Sequence, residues 1–281
     1  MKPLRVLTVA GSAAGGSAGI QADLKTFQEL DVYGMSIITA IVARHPKTNV
    51  NVHKQTLEVI EAQFATAINQ VKAFDGMKTG MLFSKEIIEK VTDLISQYNI
   101  ERVVVDPVMV GKHQSKLLKD DAITALKNKL IPVAKMITPN MTEASILLNN
   151  RKLETLEDLK QAAVDLHELG ASYVLVKGGQ LEGPAIDVLY EGETLTTYEA
   201  PRIETVNTSG AGCTYSAAIT ANLAKGLAVA DAVYKAKSFI TTAIEHGFSY
   251  TELPGPTLHA AERIYQEAHK IKMNQEIVNK Q

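Results

Sequence analysis

The chain has 281 residues, 46% of them hydrophobic and 21% charged, with a formal net charge of -2, the profile of an ordinary soluble globular protein. A near-neutral charge without a Lys/Arg block excludes a nucleic-acid or anionic-membrane surface as the main partner and favours small molecules. One cysteine excludes an internal disulfide and cysteine-pair zinc sites.

The apolar run near the N-terminus is too short for a signal peptide, and no stretch approaches membrane-spanning length, so a reducing, cytoplasmic setting is expected. From residue 5 onward short β-branched runs alternate with helix-length segments. That is the pattern of a mainly parallel sheet covered by helices on both faces. The first strand is expected at 5–10 and enters the loop Ala10-Gly11-Ser12-Ala13-Ala14-Gly15-Gly16-Ser17-Ala18-Gly19, which opens a helix at 21–30. Its glycines fit neither G-x-G-x-x-G nor G-x-x-x-x-G-K-[ST], which excludes a dinucleotide fingerprint and a Walker loop. The loop is still open to a ligand lying over the helix start, with Asp23 one turn in.

Further strands are expected at 36–42, 76–79, 102–105, 135–137 and 173–177, with helices at 57–73, 85–98, 120–130, 141–148 and 156–169. Two extended runs, 185–190 and 194–200, flank Glu191-Gly192-Glu193 and predict a hairpin, so the sheet ends in antiparallel strands. Helices at 213–225, 229–246 and 258–270 follow. Residues 43–52 are polar and irregular, a candidate flap, and 272–281 are polar enough to fray. No linker divides the chain, so one domain over 1–281 is expected.

In doubly wound sheets ligands collect at the carboxyl ends of the strands. Asp106 follows Val103-Val104-Val105, Asn140 and Glu143 follow Met136-Ile137-Thr138-Pro139, Lys177 follows Val174-Leu175-Val176, and Met81 follows Lys78-Thr79-Gly80. Asp106 and Glu143 suit magnesium, directly or through water, although either acid alone equally suits a solvated loop. The Lys177 ammonium is aimed at whatever occupies that rim, and a phosphate is the natural anion. The seven histidines show no metal-ligand spacing. His113, beside Lys112, is a minor candidate for meeting phosphates.

On the same rim lies Asn207-Thr208-Ser209-Gly210-Ala211-Gly212-Cys213, directly before a helix. Gly210 and Gly212 let main-chain amides approach a ligand closely, and the free amides of a first helical turn make an anion site. A thiol there can have its pKa lowered toward neutrality and take a proton from an alcohol. Taken alone, the seven residues fit equally well a tight turn before a buried helix, with Cys213 a small core hydrophobe.

Together, these residues resemble the ribokinase-like superfamily, and within it the vitamin kinases of the pyridoxal kinase and hydroxymethylpyrimidine or phosphomethylpyrimidine kinase type. The resemblance runs from Val6 to about His259. It is carried by Gly19-Ile20-Gln21-Ala22-Asp23-Leu24-Lys25-Thr26, Lys78-Thr79-Gly80-Met81-Leu82, Val105-Asp106-Pro107-Val108-Met109, Thr138-Pro139-Asn140-Met141-Thr142-Glu143-Ala144, Val176-Lys177-Gly178-Gly179 and Gly210-Ala211-Gly212-Cys213-Thr214.

The resemblance implies a three-layer α/β/α ribokinase-like fold, MgATP as donor, and transfer of the γ-phosphoryl group to a hydroxymethyl group. Cys213 would be the base, and Gly210, Ala211 and Gly212 would line the anion hole. Asp106, Asn140 and Glu143 would serve the metal and its waters, with Asp106 and Glu143 as the metal carboxylates. Lys177 and Thr208 would serve the nucleotide, and Gly19, Asp23, Met81 and Val108 would line the ring pocket. A homodimer is implied, and a monovalent cation is a further candidate.

Four departures stand out: Ala13 where Gly-Ser-Asp is common, Ser209 where histidine is usual, Arg44 where the pyrimidine kinases tend to carry glutamine, and Gly111 where some pyridoxal kinases carry a second cysteine. Arg44 favours pyridoxal and related B6 vitamers as acceptors, with hydroxymethylpyrimidine as the alternative. A cysteine hydrolase and a non-catalytic vitamin-binding module are the readings from other classes.

Overall fold

The computed structural model describes residues 2–43, 52–111 and 117–278. In chain order the described elements are β1 (Arg5–Ala13), α1 (Ile20–Glu29), β2 (Tyr33–Val42), β3 (Val52–Lys54), α2 (Leu57–Val71), β4 (Gly76–Thr79), α3 (Lys85–Gln97), β5 (Val103–Val105), α4 (Asp120–Ala125), β6 (Met136–Ile137), α5 (Met141–Leu147), α6 (Leu156–His167), β7 (Tyr173–Gly178), β8 (Ala185–Tyr190), β9 (Thr194–Ala200), α7 (Ala211–Ala224), α8 (Val229–Glu245), α9 (Ala261–Tyr265) and β10 (Lys272–Ile277). The strands form one sheet in the order β10-β9-β8-β7-β6-β5-β4-β1-β2-β3. Pairing is parallel from β2 through β1, β4, β5 and β6 to β7, and antiparallel for β3 on β2 and for β8, β9 and β10.

Alternating side chains of the central strands feed two cores. Val103 and Val105 join the cluster beneath α2 to α6, whereas Val104 joins Met136, Leu175 and Leu189 under α7 and α8. Strands buried on both faces read as uninterrupted apolar runs, which is why Val103-Val104-Val105 was legible. On α3 the buried residues Ile87, Ile88, Val91, Leu94 and Ile95 form one helical stripe. Helix α7 is buried from Thr214 to Ala224 because it packs against α1 and α8 as well as the sheet. The expected three-layer α/β/α architecture is therefore observed, and it brings the ends of β5 and β7 beside the start of α7.

Local expectations failed where tertiary context intervened. Strand β1 continues to Ala13, into the stretch expected to be loop, and Ser12 bridges to Gly19. The helix expected at 120–130 is α-helical only to Ala125; it widens into a π-turn at Leu126–Leu130 and tightens into a 3-10 turn at Ile131–Val133, where Pro132 enters. The tail expected to fray is instead edge strand β10 as far as Ile277, with Lys272 opposite Glu199 and Ile277 opposite Thr194. Its polar side chains suit an exposed edge, and β9 supplies the backbone partners.

The helix expected at 258–270 shrinks to α9 because Gln266 takes a left-handed conformation with φ 55°. The chain after it folds back on the end of α8, where His246 Nε2 lies 3.1 Å from Glu267 Oε2 and His269 Nε2 lies 2.7 Å from Glu245 Oε2. The candidate flap lies outside the described residues except for Ala43 and Val52, and so do Arg44, Lys112 and His113.

Candidate active site

The turn before α7 is held from both sides. Asn207 Oδ1 accepts the Gly255 amide at 2.8 Å, and the Ser209 amide donates to the Gly255 carbonyl at 3.1 Å. Across the sheet end, Ser209 Oγ donates to Ser17 Oγ at 3.0 Å. Serine at this position thus ties the turn to the first loop. Gly210 caps α7 with φ 85°, and no side-chain hydrogen bond caps the helix. Regular bonding begins with the Thr214 amide on the Gly210 carbonyl at 2.9 Å, which leaves the Gly212 and Cys213 amides for a ligand.

A Cβ on Gly210 would sit 1.7 Å from the Ser17 carbonyl oxygen. Clash and left-handed backbone together predict that Gly210→Ala lowers unfolding free energy by about 1–3 kcal/mol and drives the first loop away from α7. Denaturant unfolding checks this, and a wild-type midpoint would contradict it.

Cys213 is half-buried at the first turn. Burial raises its thiol to about 11, helped by the Asp23 and Asp106 carboxylates and opposed by the Lys78 ammonium and the Gly19 amide. The expectation of a thiol lowered toward neutrality is corrected. A helix start lowers a thiol only where water or cations dominate its surroundings, and here desolvation and two carboxylates win.

Lys78 and Asp23 are both wholly buried, with Lys78 Nζ 2.9 and 3.0 Å from the two Asp23 oxygens. Thr8 Oγ1 also donates to Asp23, at 2.6 Å. Burial pushes the Asp23 carboxyl up, whereas Asp23, Cys213 and Asp106 outweigh burial and hold Lys78 above the ordinary lysine range. The pair is ionised, because three donor contacts converge on one carboxylate that has no water to replace them. For Asp23 to touch a ring, as the resemblance implies, these partners would have to give way.

At the ends of β5 and β7, Lys177 Nζ lies 2.8 Å from Asp106 Oδ1. Thr138 and Ser216 hydroxyls donate to Asp106 at 3.1 Å each, on opposite oxygens. Lys177 also borders the helix start, since a Cβ on Gly212 would meet its Nζ at 3.4 Å. Asn140 caps α5 in a reciprocal box with Glu143: Asn140 Oδ1 accepts the Glu143 amide and Glu143 Oε2 accepts the Asn140 amide, both at 2.9 Å. Burial first, then repulsion from Asp106, raises the Glu143 carboxyl to about 7 against the pull of Lys177.

Two carboxylates thus share one ammonium, a surplus of negative charge that a divalent cation relieves. Asp106 already has three protein donors and Glu143 two backbone amides. The donor set therefore fits a hydrated magnesium ion held through its waters.

Met81 and Gly19 meet the first loop. Met81 Cε lies 2.5 Å from where a Cβ on Gly11 would be, and the Gly19 amide faces Cys213. Val108 is half-buried in the turn after β5, its amide on the Asp106 carbonyl at 2.8 Å. Thr208 is exposed, and its carbonyl accepts the Ala211 amide at 3.1 Å. Two clefts among the described residues lie away from this convergence: one of about 710 Å³ beside Met141, Leu156 and Gln180, and one of about 660 Å³ between Phe83 and Asp121. Neither contains Cys213 or Asp106.

Sequence reasoning assigned no role to Lys78, Thr8, Thr138, Ser216 or His259. His259 Nε2 lies 3.0 Å from Thr214 Oγ1, and burial lowers its pKa to about 4. It is a neutral partner of the helix start and gives Cys213 no imidazolium of the kind a cysteine hydrolase uses.

The chain matches the family described as phosphomethylpyrimidine kinase over residues 14–258. It is 46% identical to a pyridoxine kinase of Bacillus subtilis, over 94% of this chain and 98% of that one. It is 41% identical to a hydroxymethylpyrimidine/phosphomethylpyrimidine kinase of the same organism, over 93% and 96% of the two chains. Among solved structures it is similar to the pyridoxal kinase of Staphylococcus aureus in complex with AMP-PCP, with a TM-score of 0.90, 38% identity, and coverage of 98% of this chain and 100% of that one.

Proposed function

We propose that this chain, which belongs to the phosphomethylpyrimidine kinase family, phosphorylates the hydroxymethyl group of pyridoxal and related B6 vitamers with ATP as donor. That it is a kinase follows from the family. The roles of its residues rest on one observation: Cys213, Lys177 and the Asp106–Glu143 carboxylates converge on the uncapped start of α7; the choice of a B6 vitamer as acceptor is supported by Arg44 and by the 46% identity to a pyridoxine kinase. Phosphoryl transfer needs a cation and main-chain donors on the moving phosphoryl group and an acceptor for the hydroxyl proton.

In this reading the Gly212 and Cys213 amides stabilise charge on the transferred group, and Lys177 turns from Asp106 toward the nucleotide phosphates. Asp106 and Glu143 hold the waters of magnesium, which neutralises phosphate charge when bound. The Cys213 thiolate, formed after its own proton leaves to solvent, takes the proton of the attacking hydroxyl and returns to the thiol. A thiol near 11 is scarce as thiolate but strong as a base, and Lys78 is the cation that stabilises the thiolate once formed. The homodimer and the cytoplasmic setting belong to the proposal as well.

The family match and the 41% identical relative favour a second reading, hydroxymethylpyrimidine or its phosphate as acceptor. Steady-state assays with MgATP and each acceptor separate the two. The expected result is a higher kcat/KM for pyridoxal, and a higher value for the pyrimidine would reverse the assignment. ATP-independent binding with no turnover of either would reinstate the vitamin-binding module.

A further inference from the structure

We propose that Glu245, His246 and Glu267, with His269 braced against Glu245, form a zinc site that clips the chain after α9 to the end of α8. Ligand atoms of Glu245, His246 and Glu267 all lie within 4.8 Å of one another. His269 Nε2 lies 2.7 Å from Glu245 Oε2 and orients that carboxylate from outside the group. One imidazole and two carboxylates, with a water in the fourth place, suit zinc. Ligands about 2.0 Å from a tetrahedral zinc stand about 3.3 Å apart; His246 Nε2 and Glu267 Oε2 are already 3.1 Å apart, and Glu245 closes on them from within 4.8 Å.

The backbone explains the convergence. Glu245 ends α8 and His246 caps it, where the negative end of the helix dipole favours a cation. The left-handed Gln266 reverses the chain, and Glu267 and His269, two residues apart, return toward that helix end. The His246 ring is stacked on Tyr265 with centroids 3.7 Å apart, which fixes its plane before a metal arrives. Access is open, with the Glu267 and Glu245 side chains 59% and 40% exposed. Without a metal these are two exposed histidine–carboxylate contacts worth little. With one, the segment leading into edge strand β10 is fastened to α8.

The test uses the full untagged chain carrying Cys213→Ser, so that the active-site thiol cannot bind the ion. Calorimetric titration with zinc chloride alone is expected to show one ion per chain, a raised melting temperature, and slower proteolysis after α9. His246→Gln with His269→Gln is expected to weaken zinc binding by at least the roughly 10- to 100-fold that loss of an outer-shell partner costs. Glu267→Gln alone is expected to weaken it as well. No uptake, wild-type uptake by the double variant, or magnesium binding as tightly as zinc would each overturn the proposal.

Discussion

Replacing Cys213 with alanine is expected to lower kcat for phosphoryl transfer by about 10²- to 10⁴-fold, the contribution of a positioned general base, with little change in KM for ATP. The reason is positional. Cys213 stands in the first turn of α7, its thiol near the Lys78 ammonium and the Gly19 amide. Alanine keeps the turn and its amides while removing the proton acceptor. Cys213→Asp restores an acceptor on a side chain of similar reach and is expected to keep measurable turnover. Complete loss in the aspartate variant would count against Cys213 as the base.

The raised thiol has its own signature. With a pKa of about 11, alkylation of the ligand-free chain is expected to accelerate about tenfold per pH unit from 7 to 9, because only the thiolate reacts. A rate that levels off below pH 8 would show a lowered thiol instead. The same group links folding to pH. The folded chain keeps a thiol proton that the unfolded chain releases near 9.0, so this contribution to stability is complete below 9 and is lost as pH rises toward 11.

Lys78→Met is expected to cost about 3–5 kcal/mol of unfolding free energy, the penalty for stranding one partner of a buried ion pair. Methionine fills similar volume, so the loss comes mainly from the Asp23 carboxylate, wholly buried and left with only the Thr8 hydroxyl. Asp23→Asn added to Lys78→Met removes the stranded charge and is expected to recover most of the stability. Denaturant unfolding of the wild type, both single variants and the double variant measures the coupling. A loss below about 1 kcal/mol in Lys78→Met would mean that water reaches Asp23 and that the pair is not the buried contact described. Activity should fall as well, because the Cys213 thiolate loses the cation that opposes its burial.

Much of the fold was legible because its signals are local. Val103-Val104-Val105 reads as a strand buried on both faces, Glu191-Gly192-Glu193 as a hairpin, and the alternation of runs as a parallel sheet with helices on both sides. Edge strand β10 was not legible. Lys272, Asn274, Gln275 and Glu276 carry no apolar alternation, and what makes them a strand is the free edge of β9. Helix 258–270 was misread for a related reason: Glu267 and His269 suit a helix surface until partners at the end of α8 are available.

The candidate site divides in the same way. Neighbouring residues were enough to place the residue types at the strand ends and at the start of α7: Asp106, Asn140, Glu143, Lys177, and Gly210 through Cys213. Each follows an apolar run or opens a helix, and both features are written in neighbouring residues. Their ionisation depends on contacts made across the fold. Lys78 became a buried cation because Asp23, 55 residues away in the chain, meets it inside the fold. Glu143 rose to about 7 because burial and Asp106 act on it together. The Cys213 thiol rose where a helix start alone would have lowered it, because desolvation and two distant carboxylates outweigh a local dipole.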